Sequence, residues 1–361
     1  MFSLPRICGA EVFMKKNAAV VGYGGMGGWH TEHIKNSDVV SLAGIYDIKK
    51  ERGELAESRG IHSYASLDEL IADKSVELVT VAIPNDSHEK TVIRLLEGGK
   101  NVICEKPVTL SMESLERMIA ASDKSGKIFS VHQNRRWDVD YLAMKALHDS
   151  GEIGDVINIE SRIHGSRGIP SDWRGEKIHG GGMLYDWGIH LIDQMLMIFG
   201  FDTVKAVDCR FEHTTNFEVD DGFYMNIEFE NGQRALVEVA TYNFIAMPRF
   251  YLRAKHGTAM IRDWRENAHV VKCKYWHESD VLPVQTAAGL TKTMAPRDSV
   301  TVDEYDAPRP VSDVHDYYRN ICDAIDGKAE QFVTHDQMRA LLRVIMAGFE
   351  SAETGRKVYL K

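Results

Sequence analysis

The run Ala18-Ala19-Val20-Val21, followed without a break by Gly22-Tyr23-Gly24-Gly25-Met26-Gly27, decides the fold. Apolar residues in an unbroken row read as a strand covered on both faces. The glycines match G-x-G-x-x-G. Gly22 permits a tight turn, Gly24 lets the backbone approach a pyrophosphate, and Gly27 lets the next helix pack against its strand. The helix start then offers N–H groups and a partial positive charge to phosphate. Asp47, 20 positions beyond Gly27 at the end of the next strand, can accept from both ribose hydroxyls. A purely structural glycine turn is the alternative, but the strand before, the helix after and the acid favour dinucleotide binding. Asp47 also favours NAD over NADP, because a carboxylate repels a 2′-phosphate. Lys49 and Lys50 complicate this: they are either solvated on the next helix or partly offset that repulsion.

Around this loop, residues 17–135 alternate short β-branched runs (18–21, 39–46, 77–83, 101–104, 127–131) with amphipathic stretches such as 86–97 and 111–124. Such alternation reads as a parallel sheet wound on both sides. After about residue 135 the pattern changes. A helix at 139–149, a strand at 156–164 and a polar loop rich in Gly, Trp and Arg lead to a helix at 183–199. Long strands follow at 204–211, 222–229 and 235–242. The last two are joined across Glu230-Asn231-Gly232-Gln233, a strong hairpin signal. Phe223, Met225, Ile227 and Phe229 alternate with polar neighbours, so one face of that strand is covered. Residues 277–312, with four prolines, read as a long loop. Thr334 and Gln337 then read as a capping box, and Gly355 as a helix stop. The expected fold is α/β: a Rossmann-type doubly wound sheet over 14–135 and an α+β domain over 136–361.

The chain has 361 residues, enough for two domains. Its formal net charge of −10 argues against a phosphate-tracking nucleic-acid binder. No apolar run is long enough for a membrane span. Residues 1–13 lack a signal peptide's pattern and read as an extension or upstream start ahead of Met14-Lys15-Lys16. The five cysteines are scattered and never spaced C-x-x-C, so neither disulfides nor a structural zinc site is expected, and a reducing cytoplasm fits.

Two further clusters carry chemistry. Ligands in a doubly wound sheet sit beyond the carboxyl ends of the strands. That places Ile83-Pro84-Asn85 with His88, and Glu105-Lys106-Pro107, toward the nicotinamide end. A desolvated Lys106 can hold an alkoxide or relay a proton; an ordinary ion pair with Glu105 is the alternative. Gly180-Gly181-Gly182 then precedes a helix with Asp186 and His190 four apart on one face, continued by Asp193. A carboxylate one turn from an imidazole can fix its tautomer and stabilise the imidazolium, the arrangement of a general base. A packing histidine, or a metal held by Asp186, His190 and Asp193, are the alternatives; no metal is expected. Cys104, buried beside Glu105, reads as an inert thiol.

These residues in series (Gly22 to Gly27 with His30, Ile83-Pro84-Asn85 with His88, Glu105-Lys106-Pro107, Gln133-Asn134-Arg135-Arg136-Trp137, and Gly180 to Asp193) resemble the glucose–fructose oxidoreductase/inositol dehydrogenase (Gfo/Idh/MocA) family, over about residues 14–361. The resemblance implies a Rossmann domain, a C-terminal domain with a large, open, mostly antiparallel sheet, and homodimers or homotetramers built by pairing those sheets. It implies NAD(P)-dependent oxidation of a secondary alcohol on a sugar, inositol or related polyol, or the reverse reduction. Lys106, Asp186 and His190 carry over as the catalytic set: His190 the proton acceptor, Asp186 its orienting partner, Lys106 the group polarising the reacting oxygen. Cofactor contacts are expected from Gly22, Tyr23, Gly24, Gly25, Met26, Gly27, Asp47, Pro84, Asn85, His88, Glu105 and Lys106. Substrate contacts are expected from Arg135, Trp137, His164, Trp173, Arg174 and Tyr185, beside Asp186 and His190. Arg136 can instead pair with an acid, and Trp29, ahead of His30, departs from the family's smaller residue. A non-catalytic NAD(P)- and sugar-sensing regulator on the same fold is the main alternative. Glycoside cleavage through transient oxidation is a weaker one.

Overall fold

The computed structural model describes residues 15–275 and 282–360; the expected extension at 1–13 lies outside the described residues. The chain forms two compact units. One gathers the residues up to Val108, Glu113–His132 and Val314–Thr334; the other gathers Thr109–Met112, Gln133–Asp313 and the residues from His335 onward.

The first unit alternates strand and helix as the periodicity predicts: β1 Lys16–Val21, α1 Gly25–Asn36, β2 Val40–Tyr46, α2 Lys50–Ser58, α3 Leu67–Ala72, β3 Leu78–Val81, α4 His88–Glu97, β4 Asn101–Cys104, α5 Met112–Ser125 and β5 Phe129–Val131. The strands are parallel, in the order β2-β1-β3-β4-β5. β3, β4 and β5 are buried at every position, which is why their sequences run apolar instead of alternating. β1 pairs with β2 on one side and β3 on the other, so the winding reverses there. Ligands of doubly wound sheets bind at such a reversal, and the glycine loop leaves the sheet there, at the carboxyl end of β1.

The second unit begins with α6 Val139–Ser150 and β6 Val156–His164. A π-helical turn, Leu184–Gly188, runs into α7 Ile189–Phe199. Then come β7 Val204–Glu212, β8 Gly222–Phe229, β9 Arg234–Ala240, β10 Phe250–Ala254, β11 Gly257–Ile261, β12 Ala268–Cys273, β13 Val284–Thr286, β14 Gly289–Thr291 and β15 Val302–Ala307. The 277–312 stretch is thus not one long loop. Among its described residues β13 and β14 form a hairpin, and β15 pairs antiparallel with β12. The prolines there, Pro283, Pro296, Pro308 and Pro310, all lie outside the strands, where they cost no ladder hydrogen bonds.

α8 Asp316–Ile325 returns to the first unit, and α9 His335–Thr354 with β16 Val358–Tyr359 completes the second. Gly355 closes α9 in the left-handed conformation, φ +67°. The large sheet has nine strands in the order β15-β12-β11-β10-β6-β9-β8-β7-β16. All its pairings are antiparallel except β6 with β9. The Asn231-Gly232 hairpin forms as expected, with Gly232 at φ +84°. Phe223, Met225, Ile227 and Phe229 point into a core shared with α7 and α9.

Candidate active site

The glycine loop has the geometry its sequence predicts. Gly22 lies at φ +93°, and a Cβ there would meet Ala82 O at 2.3 Å; one on Gly27 would meet Gly22 O at 1.8 Å. Both glycines are required by close backbone packing. Gly24 and Gly25 differ: a Cβ on either meets nothing within 4 Å, and both are exposed at the first turn of α1. They leave a bare backbone cradle in front of helix N–H groups, which fits a pyrophosphate. Asp47, half-buried at the end of β2, accepts from Tyr23 N–H at 2.6 Å and Lys49 N–H at 2.8 Å. Its carboxylate is thereby held at the rim of the cradle. Met26 is exposed beside it, whereas the Tyr23 ring is buried and its hydroxyl takes a 3.2 Å contact from Arg59.

The turns after β3 and β4 are tied together. His88 is fully buried, with Nε2 3.0 Å from Ile83 O and Nδ1 3.0 Å from Pro107 O. One imidazole thus spans the Pro84-Asn85 and Lys106-Pro107 turns, and burial pushes its pKa down. Asn85 is buried, Pro84 exposed and Lys106 half-buried. Beneath Lys106, Glu105 Oε1 accepts from His30 Nε2 at 2.7 Å and His132 Nδ1 at 2.9 Å. Burial works against the charge on Glu105, but His132 and His30 outweigh it and hold its carboxyl well below the usual range. His30, pushed down by burial and by His132, is neutral. Glu105 Oε1 is thus engaged by two imidazoles, and its Oε2 accepts from Lys106 N–H at 3.2 Å. His30, Glu105 and His132 are also close enough to share a cation, and their spacings at the carboxylate oxygen are those of hydrogen bonds. Trp29 is accommodated by lying against His33, ring centroids 3.7 Å apart. Cys104 is buried and its pKa pushed well up by burial, as expected of an inert thiol.

In the second unit, the helix carrying Asp186 and His190 opens with a wide turn in which Ile189 N–H reaches back to Leu184 O. π-turns inside helices are rare and gather at functional sites. Asp186 is half-buried with Arg174 Nε 3.4 Å from its Oδ2, and His190 is buried at 5% exposure. Arg174 is itself steadied by Asp172 at 2.8 Å and lies over the Trp173 ring. Asp193, by contrast, is committed elsewhere. It takes a two-pronged pair from Arg136, 2.8 and 2.7 Å, with both groups buried. That leaves its carboxylate no part in a metal set with Asp186 and His190.

The other expected substrate residues differ in access. Arg135 is half-buried, with its guanidinium 4.1 Å from the Trp187 ring centre and 5.7 Å from that of Trp264. Trp173 and Trp137 are half-buried. The His164 side chain is only 1% exposed and accepts from Met247 N–H at 3.1 Å. Tyr185 packs in the core, its ring 4.7 Å from Phe349. Sequence reasoning missed Trp264, which flanks Arg135, and Asp220, which accepts from Leu184 N–H at 2.8 Å. Neither sits in a motif; the tandem acids Asp220-Asp221 inside a hairpin connection were the only signal.

A parallel doubly wound sheet with an open glycine cradle and an acid at the end of β2, in one chain with a nine-stranded mixed sheet, has the make-up of a dinucleotide-binding protein. The chain belongs to the Gfo/Idh/MocA family: residues 16–133 match its "Oxidoreductase family, NAD-binding Rossmann fold" domain and residues 141–260 its "GFO/IDH/MocA C-terminal domain". It is similar to an NAD-binding protein from Listeria innocua of known structure, at 41% identity and TM-score 0.92 over 96% of this chain and 100% of that one. It is also similar to the scyllo-inositol 2-dehydrogenase (NADP(+)) IolW of Bacillus subtilis, 28% identical over 95% of each chain. An inositol 2-dehydrogenase of Salmonella paratyphi B is 26% identical over 70% of this chain and 81% of that one. The cofactor of this chain is NAD(P). No helix among the described residues is long and apolar enough to cross a membrane.

Proposed function

We propose that this protein is an NAD(P)-dependent dehydrogenase acting on a secondary alcohol of a sugar, inositol or related polyol. Bound NAD(P) supplies the hydride acceptor or donor. His190 takes the hydroxyl proton as the carbonyl forms and returns it in the reverse direction. Asp186, one turn earlier on the same helix, orients that imidazole and stabilises its cationic form. Lys106 polarises the reacting oxygen and supports the charge that develops on it. Arg174 and Trp173 receive the hydroxyls and apolar face of the substrate, with Arg135 as a further polar contact. His164 and Tyr185, whose side chains are enclosed, shape the pocket from behind. His88 and Glu105 act through the turns they hold.

The observation that carries this reading is the wide helical turn at Leu184–Gly188, which presents Asp186, paired with Arg174, ahead of His190. It stands in a chain whose other unit is an NAD-binding Rossmann domain. The inositol dehydrogenases among the relatives support a cyclitol as the first substrate class to try. The proposed assembly is a homodimer or homotetramer formed through the nine-stranded sheet, and the proposed compartment is the cytoplasm.

The test is a 340 nm assay with NAD and NADP against inositols, sugars and sugar acids. A thermal-shift screen of the same panel runs beside it, since ligand at 100-fold its Kd adds about 2.7 kcal/mol of stability. Turnover on a polyol that is lost in Lys106→Met and His190→Asn supports the reading. Cofactor binding without turnover on any member of the panel favours the sensing regulator instead.

A further inference from the structure

We propose that Asp220 is a positioning residue for the helix that bears Asp186 and His190; the inference rests on the catalytic reading above and extends it to a side chain outside every motif. The helix begins at Leu184 behind Met183, which has no side-chain oxygen to satisfy the first free N–H groups. Asp220 supplies one from 36 positions along the chain: its Oδ2 accepts from Leu184 N–H at 2.8 Å, and its backbone O accepts from Met183 N–H at 3.1 Å. Asp220 is 3% exposed. Room for it is made by Gly182, which lies at φ +102° and whose Cβ would fall 2.1 Å from Asp220 Oδ1. The last glycine of Gly180-Gly181-Gly182 thus admits the cap.

The neighbouring acid braces the second partner of the site. Asp221 Oδ1 accepts from Thr214 N–H at 3.0 Å, and Oδ2 from Thr215 Oγ1 at 2.8 Å and Asn216 N–H at 3.0 Å. Asn216 Nδ2 in turn donates to Gly175 O at 3.2 Å, next to Arg174. Arg174 O accepts from Gly182 N–H at 2.9 Å, and its guanidinium reaches Asp186. The tandem acids therefore hold both sides of Asp186: Asp220 the helix start beneath it, and Asp221 the loop that brings Arg174 to it. Misplacement of a reacting group by about 1 Å can cost on the order of 10²-fold in rate.

The experiment compares Asp220→Ala, Asp220→Asn and Asn216→Ala with the wild type, on the substrate that the panel identifies. Asp220→Ala is expected to lower kcat on the order of 10²-fold and to move the acidic limb of the pH profile for alcohol oxidation, where the general base His190 titrates. Asp220→Asn, which keeps an acceptor oxygen for Leu184 N–H, is expected to restore both toward wild type. Asn216→Ala, in a surface loop, is expected to lower kcat several-fold through Arg174. NADH affinity, read by fluorescence, is expected to be unchanged in all three, since the glycine loop is untouched. Wild-type kcat and pH profile in Asp220→Ala or Asn216→Ala would overturn the proposal. So would damage in Asp220→Asn equal to that in Asp220→Ala, and this comparison stands even if the alanine variant fails to fold. Full activity in His190→Asn would instead overturn the catalytic reading itself, whatever the Asp220 variants do.

Discussion

The phenol of Tyr318 lies 2.7 Å from Nδ1 of His30, across 288 positions of sequence. Both groups are buried, and His30 Nε2 faces Glu105. Because that nitrogen donates to the carboxylate, Nδ1 is the acceptor and the Tyr318 hydroxyl the donor. Helix α8 thus completes the hydrogen bonds beneath the turn that carries Lys106.

Tyr318→Phe should leave the His30 Nδ1 acceptor buried and unpaired. The expected cost is about 1–3 kcal/mol of stability, read as a lowered denaturation midpoint with an unchanged m-value. An unchanged midpoint would mean that the imidazole turns to another partner.

The Arg136–Asp193 pair predicts a larger loss. Removing one partner of a buried ion pair typically costs about 3–5 kcal/mol, so Asp193→Ala should fall in that range. Arg136→Met with Asp193→Leu, which removes both charges, should recover much of it. Equilibrium unfolding of the two single variants and the double variant separates these outcomes.

Two glycines in one loop should behave oppositely. Gly27→Ala drives a methyl group to 1.8 Å from Gly22 O and should unfold or grossly destabilise the first unit. Gly24→Ala meets no atom of the protein and should leave the melting temperature alone. Its methyl group occupies the cradle, so NADH affinity should fall by about tenfold or more, roughly 1.4 kcal/mol. Intact NADH binding in Gly24→Ala would move the pyrophosphate elsewhere.

Asp47→Ser should weaken NAD binding and narrow the NAD-over-NADP ratio, because it removes a carboxylate that accepts from ribose hydroxyls and repels a 2′-phosphate. Dissociation constants for both cofactors, at one ionic strength, check this.

Asp220 also predicts a pH dependence of stability. Burial, opposed by the Leu184 N–H, pushes its carboxyl up to about 8 from an ordinary 3.8. Between those values the folded chain holds a proton that the unfolded chain has released. Its contribution is therefore fully present below about pH 4 and is lost as pH rises toward 8. Asp220→Asn, which cannot ionise, should flatten that part of the stability profile. An identical slope in both proteins would assign the proton to another group.

Much of this protein is legible in its sequence because the responsible physics is local. Unbroken apolar runs mark strands covered on both faces. Asn231-Gly232 marks a hairpin because only such residues accept its positive φ at little cost. Gly27 is fixed by a contact only five residues away, with Gly22 O, whereas the space at Gly22 is closed by Ala82, just past the neighbouring strand β3 of the sheet. The strands Val156–His164 and Gly222–Phe229 could be bounded to the residue for the same reason.

What only the tertiary structure decided is which distant groups meet. The wide turn at Leu184–Gly188 is invisible in a helical pattern, and the acid that caps its first N–H, Asp220, lies 36 positions away. Asp193 continues the helix face of Asp186 and His190 by spacing alone, but in the fold its carboxylate is taken by Arg136. The return of Val314–Thr334 to the first unit, and with it the Tyr318–His30 bond, leaves no trace in periodicity. Hydrophobic period records only which side of an element is buried. A buried polar group must find its partner wherever the folded chain brings one within about 3 Å, and that neighbourhood exists only once the fold does.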